Sequence, residues 1–522
     1  MGAGLPRVIL REIDLSQYVD TLIKGVSCVE GITEKGPIGK PQLISSEAQF
    51  DRVFGGNLKN SDFPLLAKRA LSYGAVLWVS RVVHYTDITK LNTCAARTAS
   101  VEIRDRASEP EATLKISAAN PGTWGNKLQI EISASALDPE HLFTLSVIDD
   151  GEDVETLSDV SMDDDSEFYI ENQKSNYIVI EDLASESGAN IDRPAVGVYN
   201  LTGGVDGTDV MTDADYIGSA TNKTGMYAFD EVDDALQLAV PGITSAAVIT
   251  AGLAYCENRK DLVYITGCPF NLNPQEQVEF RLGQGVYTHA PFVSNYGAMY
   301  PTKIKIYDLV RQKERYIAPE GDILGILAVN DYMGDESHVP AGARRGRILN
   351  ALGVDYNVGA KGALGEGNYL SENQLNPICV FNDTGTVAWG AQTLQRQASL
   401  LRELNVRRLM IVVEKAVAAY ARSYLFEKND PTTWRQFYRG IEPKFREWKA
   451  QRWFYDYYIF CDQDAESLDK AKLNTAESVQ RGEFKCQIFV KPVVGIKWVM
   501  IDAVITRLDA DFAESLADVI GG

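Results

Sequence analysis

The sequence predicts a multidomain chain of mixed α/β (α+β) class, in which an acidic, β-rich domain interrupts a host of helices and strands. Three observations predict it. At 522 residues the chain is well past the size at which a single hydrophobic core stops growing. Its net charge of −21 is concentrated in one stretch, since residues 101–210 carry 24 acidic and 6 basic side chains, leaving only −3 for the remainder. Within that stretch apolar residues recur with period two, whereas outside it runs with helical period alternate with short buried strands. Apolar residues make up 45% and charged residues 24%, with 42 Gly and 19 Pro, which excludes a disordered, collagen-like or low-complexity chain.

Taken in order, residues 8–12 read as a short extended segment, 45–54 and 63–73 as helices, and 75–83 as a buried strand. In the acidic stretch, 113–117, 127–133, 142–148 and 177–180 read as strands separated by Asn-Pro-Gly and Asp-Asp-Gly turns. Such an insertion is expected at an exposed loop, where charge of one sign faces water. Beyond it, 230–239 and 243–258 read as helices, 262–266 as a strand, 389–404 as a helix and 408–421 as an amphipathic helix. The end of the chain reverts to strand-length runs over 454–461, 482–492 and 495–507. The longest apolar run, 243–255, is too short for a membrane span and is broken by Thr244, Ser245 and Thr250. No signal peptide or myristoylation motif is expected, given Pro6 and the lack of a charged n-region before an apolar h-region.

Catalytic chemistry needs a convergent set of acids, bases or nucleophiles, and the sequence offers little. The four histidines, His84, His141, His289 and His338, have no metal-ligand spacing, and each reads as a surface or satisfied core residue. Gly359, Gly362, Gly365 and Gly367 lack the Gly-Lys-Ser/Thr end of a phosphate-binding loop and read as a mobile loop. Asp163, Asp164, Asp165 and Glu167 lack the alternating spacing of a calcium loop, so they read as a solvated acidic turn and no metal or cofactor is assigned. Seven scattered cysteines read as buried apolar residues rather than as a disulfide framework.

The basic counterpart lies in residues 401–452, with 12 basic and 6 acidic residues. Past the Asp430-Pro431 start signal, Arg435, Arg439, Lys444, Arg446 and Lys449 fall in a helical pattern whose Trp434, Phe437, Ile441, Phe445 and Trp448 form one apolar face. Gly440 and Pro443 are expected to kink or split it. The cations suit either an ordinary solvated face or a docking surface for an acidic partner.

Several motifs, in their order, resemble the tail sheath proteins of contractile bacteriophages and related contractile injection systems. They are Leu5-Pro-Arg-Val-Ile-Leu-Arg-Glu-Ile-Asp14, Gly31-Ile-Thr-Glu-Lys-Gly-Pro-Ile-Gly39, Gln49-Phe-Asp-Arg-Val-Phe-Gly-Gly56 and Leu77-Trp-Val-Ser-Arg-Val82. Pro121-Gly-Thr-Trp-Gly-Asn126 and Leu201-Thr-Gly-Gly-Val-Asp-Gly207 resemble the signatures that open and close the family's outer domain. Ser294-Asn-Tyr-Gly-Ala-Met-Tyr-Pro301, Pro319-Glu-Gly-Asp-Ile-Leu-Gly325, Trp389-Gly-Ala-Gln-Thr-Leu394, Asn405-Val-Arg-Arg408 and Phe426-Glu-Lys-Asn429 follow. The chain departs from the pattern in having no Trp after Pro301 and in its short tail after Arg507.

The resemblance implies a structural protein of the virion tail, assembled in the bacterial host cytoplasm. It would polymerise as stacked hexameric rings around an inner tube, contract to drive that tube through a target envelope, and meet baseplate and terminator proteins, without nucleic acid, membrane insertion or cofactor. It implies an N-terminal arm over 1–20 with Val8, Ile9, Leu10, Arg11 and Glu12 at a joint between subunits, and a sheath core whose first part is 21–97. An outer domain would span 98–210, a middle α/β domain 211–375, a tube-facing C-terminal domain 376–507, and a C-terminal arm or tail 508–522. Phe484, Cys486, Ile488, Val490, Trp498 and Met500 would lie in the inter-subunit sheet, and the five cations of 435–449 would face the tube. The rivals are a hydrolase with a β accessory domain and a non-contractile tail or adhesin-like protein.

Overall fold

The computed structural model describes residues 24–183, 193–358 and 365–497. The expected arm residues Val8, Ile9, Leu10, Arg11 and Glu12, together with Trp498, Met500, Gly359 and Gly362, lie outside them. The first host segment runs β1 (Val26–Gly31), β2 (Gln42–Ile44), α1 (Glu47–Phe54), α2 (Phe63–Ser72) and β3 (Val76–Arg81). Helix α1 starts where the sequence signals it, the Ser46 hydroxyl accepting from Gln49 N at 3.2 Å.

The acidic stretch forms β4 (Ser100–Arg104), β5 (Ala112–Ala118), β6 (Leu128–Ala134), β7 (Phe143–Asp149), β8 (Glu152–Val160), β9 (Ile178–Asp182) and β10 (Gly197–Asn200). These make two antiparallel sheets, β4-β5-β9 and β10-β6-β7-β8. Their facing apolar residues, among them Ile103, Leu114, Ile116, Ile130, Leu145 and Val147, share one core separate from the host's. The alternate positions carry the acids into water, as the two-residue period dictates.

The chain then returns through α3 (Asp213–Ile217), β11 (Gln237–Ala239), α4 (Ala246–Arg259), β12 (Val263–Gly267), α5 (Pro274–Leu282) and β13 (Gly297–Tyr300). Strands from both sides of the insertion build one six-stranded sheet in the order β13-β12-β11-β1-β3-β2, parallel except for β2. Helices cover both faces, so β1, β11, β12 and β13 are buried throughout and their residues alternate between two cores. Val29, Val79 and Ile265 meet α2 and the helix Glu320–Met333 on one side, while Cys28, Leu238 and Tyr264 meet α4 on the other.

The remainder comprises β14 (Ile304–Asp308), β15 (Lys313–Ile317), α6 (Glu320–Met333), α7 (Gly342–Arg345), β16 (Gly353–Val354), α8 (Glu366–Glu372), β17 (Ile378–Phe381), β18 (Gly385–Ala388), α9 (Leu404–Arg422), α10 (Pro431–Ala450), β19 (Phe454–Phe460), α11 (Ala476–Gln480) and β20 (Gln487–Pro492). Helix α6 lies on α2 so closely that a Cβ at Gly321 would stand 2.2 Å from the Leu66 carbonyl oxygen, and one at Gly325 would stand 2.5 Å from the Tyr73 ring. Arg69 then reaches Asp322 through Nε and Nη2 at 2.7 and 2.6 Å, and Tyr73 Oη donates to the same carboxylate at 2.9 Å.

Four expectations are corrected. Residues 230–239 are not a helix; their end is β11, whose three residues are buried between β1 and β12, and so short a buried run has no period to read. Residues 389–404 are not a helix either. The Asn376 amide holds Gln392 at both N and O, at 2.7 and 2.8 Å, and Thr393 N bonds Arg402 O at 2.8 Å, which folds the segment back on itself. Pro443 does not split α10, because it sits on the exposed side where a missing N–H leaves a carbonyl to water. The 482–492 strand begins only at Gln487, because Asn474 takes the Lys485 backbone as its own partner, accepting from N at 2.6 Å and donating to O at 3.0 Å.

Candidate functional site

Nothing in the geometry gathers a reaction centre from the histidines, which stand apart in local pairs. His84 Nδ1 lies 2.9 Å from Asp215, His141 2.8 Å from Asp138 and His338 3.2 Å from Asp335, while His289 stacks on Phe292 at 4.4 Å. Carboxylate oxygens of Asp163, Asp164 and Asp165 come within 4.8 Å of one another on an exposed turn, where Asp163 already accepts from Asp165 N at 3.1 Å. Among the described residues no helix is long and apolar enough to cross a membrane. The surfaces that carry function are therefore sought at the neck of the insertion and in the C-terminal domain.

At the neck, the two motifs flanking the insertion clasp each other. Asn126 Nδ2 donates to Gly204 O at 2.9 Å, and Gly204 N donates back to Asn126 Oδ1 at 2.8 Å. Asp206 accepts from Thr123 N at 2.7 Å and from Thr123 Oγ1 at 2.8 Å. A Cβ at Gly204 would meet Gly122 O at 2.3 Å, so the approach requires glycine. Beneath the clasp, buried Arg81 donates from Nη1 to Pro121 O at 2.6 Å and to Gly36 O at 3.2 Å, tying insertion to host. Burial, only partly offset by the Asp206 charge, pushes this guanidinium down to about 10.

In the C-terminal domain, α10 begins at Asp430, whose carboxylate accepts from Thr433 N at 2.9 Å with Pro431 in the first turn. Trp434, Phe437, Ile441, Phe445 and Trp448 are all buried, as their spacing predicts. Gly440 lets α9 approach, since a Cβ there would stand 1.7 Å from Tyr420 Oη. Asn429 anchors the start, accepting from Trp434 Nε1 at 2.8 Å and donating to Glu483 O at 3.0 Å.

The five cations expected to face a partner are mostly engaged within the protomer. Arg435 donates to the backbone of Gln463 and Ala465 at 3.3 and 3.4 Å, Lys444 pairs with Glu447 at 2.9 Å, Arg446 with Glu442 at 2.8 Å and Lys449 with Asp456 at 2.8 Å. The Lys449 hydrogen bond holds the Asp456 carboxyl below the usual range. Arg439 is exposed and has no acid partner among the described residues.

Strands β19 and β20 pair antiparallel with each other and with no other strand among the described residues. Phe484, Cys486, Ile488 and Val490 turn onto this protomer's own core, Phe484 meeting the Phe437 ring at 5.1 Å. The opposite face shows Tyr458 and Phe489, register partners with rings 6.2 Å apart and each 57% exposed, beside Tyr455 at 67%. These three aromatics were missed in the sequence; the alternation of 487–492 was the available signal, read there only for its buried half.

No family model matches the chain. The chain is similar to the tail sheath protein of Vibrio phage KVP40, at 27% identity over 499 residues, covering 88% of this chain and 69% of that one. The tail sheath protein of Salmonella phage ViI is 31% identical over 209 residues, 40% of this chain and 31% of its own length. Among solved structures, a sheath tail protein from Listeria innocua superposes with a TM-score of 0.59 at 11% identity, covering 85% of this chain and 90% of that one. A sheath subunit from an extracellular contractile injection system in its contracted state gives 0.56 at 13% identity, covering 98% and 99%. The mixed α+β multidomain fold of this chain thus matches that of sheath proteins. Likeness in sequence along most of the chain and likeness in fold point the same way, to proteins named tail sheath protein.

Proposed function

We propose that this chain is the subunit of a contractile sheath: copies stack as six-membered rings around an inner tube, attach at a baseplate, and shorten together to drive the tube forward. The role is structural, with no reaction of its own. The observation that carries it is the β19–β20 pair, a two-stranded sheet packed on the core by one face while its edges find no other strand among the described residues. A lone pair of strands is marginal, and its free edges are templates for strands from neighbouring copies. The N-terminal segment with Val8, Ile9, Leu10, Arg11 and Glu12 is the proposed donor; at ~3.3 Å per residue its ten residues reach roughly 33 Å. Residues 98–210 are proposed to face solvent as an outer domain, and 376–507 to face the tube. The outer placement is supported by a net charge of −18 over 101–210 and by the single clasped neck.

Negative-stain images of the purified full chain test the reading. Rings or long tubes are expected; a small closed oligomer would support the hydrolase alternative, and a monomer or trimer the adhesin. Removing residues 1–16 is expected to leave a folded, soluble protomer that forms no tubes, and tubes of normal length from that deletion would overturn the arm's role.

A further inference from the structure

We propose that Cys461 and Cys486 form a redox-closed clip, in which a low-molecular-weight disulfide oxidises the two thiols to a cross-strand disulfide tying β19 to β20. The register of these strands runs from Tyr458 opposite Phe489 through Ile459 opposite Ile488 to Phe460 opposite Gln487. Cys461 directly follows Phe460 and Cys486 directly precedes Gln487, so the two cysteines flank the last paired position of this ladder. Directly opposed residues of an antiparallel pair project to the same face, with Cα atoms about 4.5 or 5.5 Å apart, and both separations fall inside the roughly 4.4 to 6.8 Å that a disulfide spans.

The side chain of Asn474 holds the two backbones together at this point. Fully buried, it donates from Nδ2 to Cys461 O at 3.4 Å and to Lys485 O at 3.0 Å, and accepts from Lys485 N at 2.6 Å. The residue after Cys461 is locked as well, since Asp462 accepts from the backbone N–H of Lys472, Leu473 and Asn474 at 2.8, 2.8 and 2.6 Å. Both cysteines are free thiols packed on the same core; Cys461 is fully buried, and Cys486 is half-buried.

The pair is also chemically asymmetric. Cys461 Sγ donates to Trp434 O at 3.7 Å and to Gln463 Oε1 at 3.9 Å, and its interaction with Cys486, together with burial, pushes its thiol up while holding Cys486 below the ordinary thiol value. Cys486 is therefore the accessible thiol, with the larger thiolate fraction, and Cys461 the resolving one. In the first step the Cys486 thiolate attacks one sulfur of the small disulfide, forming a mixed disulfide and expelling one small thiolate. Cys461 then gives its proton to solvent and attacks Cys486 Sγ, expelling the second small thiolate. Two protein thiols are oxidised by two electrons, and one small disulfide is reduced to two thiols. The product closes the segment containing α11 into a loop and fixes the start of β20 to the end of β19.

The clip does not depend on the sheath reading, so the test uses the unassembled full-length protomer. It is treated with oxidised glutathione, denatured, its remaining thiols are alkylated, and its peptides are mapped by mass spectrometry. Five of the seven cysteines should remain alkylatable, with one intramolecular link joining the Cys461 and Cys486 peptides. Tm should rise on the order of 5 °C, dithiothreitol should reverse both changes, and Cys486→Ser should abolish both. Cys94→Ser, which alters the other half-exposed cysteine, should change neither. A glutathione adduct left on Cys486 with Cys461 still free, a link between two protomers, or no loss of thiols would each overturn the proposal. Since mapping precedes assembly, failure of the protomer to form tubes would leave this result unaltered.

Discussion

Replacing Arg408 by Met should destabilise the host core by an amount that depends on pH. Arg408 on α9 and Asp331 on α6 are both fully buried, with Arg408 Nη2 2.8 and 2.6 Å from the two carboxylate oxygens. With the Gln237 amide oriented to satisfy its neighbours, its oxygen accepts from Arg408 Nε and Nη2 at 2.8 and 2.7 Å, and its nitrogen donates to Val26 O at 3.0 Å. One guanidinium thus joins α9, α6 and the host sheet. Removing one partner of a buried pair typically costs about 3 to 5 kcal/mol, because the other charge is left stranded. Asp331 can escape by taking a proton, and burial already pushes its carboxyl up even against Arg408. Holding that proton at pH 7 on a carboxyl whose unfolded value is ~3.9 costs about 4 kcal/mol, which matches the penalty for the broken pair. In Arg408→Met the folded state binds more protons than the unfolded one, so stability is retained below about pH 4 and falls as pH rises through the folded value. Urea unfolding followed by circular dichroism should therefore show a loss of about 3 to 5 kcal/mol at pH 8, shrinking to about 1 to 2 at pH 4.5. Adding Asp331→Leu should recover most of the loss at pH 8. Equal losses at both pH values, or a double variant no better than the single one, would refute the reasoning.

Glu30 on β1 is fully buried with neither carboxylate oxygen partnered among the described residues, and burial raises its carboxyl well above the usual range; Glu30→Gln should therefore raise Tm at pH 8 and leave it nearly unchanged at pH 4.5. Gly321→Ala should force α2 and α6 apart against the Leu66 carbonyl, costing ~1 to 3 kcal/mol in urea unfolding, whereas Ala at Gly74, with open space around it but a positive φ, should cost less. Asn126→Ala breaks both arms of the neck clasp and should expose the junctions of 98–210 to limited proteolysis while the host core keeps its urea midpoint. If α10 faces an acidic tube, Arg439→Glu should weaken co-sedimentation with tubes and flatten its salt dependence more than Lys449→Glu, because Lys449 is already paired with Asp456; equal effects would make this helix an ordinary solvated face.

What the sequence reveals follows from the range of each interaction. The insertion was legible because four of its seven strands run or alternate in β-forming residues between turn signals, and because its acids count in a window without reference to any partner. Helices α1 and α10 were legible from their start signals, α10 also from its apolar stripe, and α2 and α4 from the run of their apolar residues, all local features. Strand β11 was not, because three buried residues have no period. The cations of α10 were correctly placed on a helix face opposite its apolar stripe, yet their pairing with Glu442, Glu447 and Asp456 is a matter of rotamers and of the next strand. Cys461 and Cys486, read singly, looked like inert core residues; only strand register makes them a pair.

Several of the motifs that resembled the family form joints between elements distant in the chain. In Asn405-Val-Arg-Arg408, Asn405 donates to Ser337 O at 2.7 Å, Arg407 lies 4.5 Å over the Tyr296 ring, and Arg408 holds Asp331. The Pro319 motif supplies Gly321 and Gly325 against α2 and Asp322 to Arg69, while the 121–126 and 201–207 motifs hold each other across the neck. Each joint brings together residues distant in sequence at spacings that leave no room for another side chain, so each leaves a glycine, a charge or an amide at a fixed place in the chain. A sheath subunit working as proposed needs such joints to be rigid inside the protomer, so that motion is confined to the contacts between protomers. The buried ion pairs suit this role better than apolar packing would, because a shifted apolar contact can find a new neighbour whereas a shifted buried charge strands its partner. The compliant elements of the subunit are then those its core leaves least supported, and the β19–β20 sheet, which has no third strand among the described residues and shows exposed Tyr458 and Phe489, is the first place to look for them.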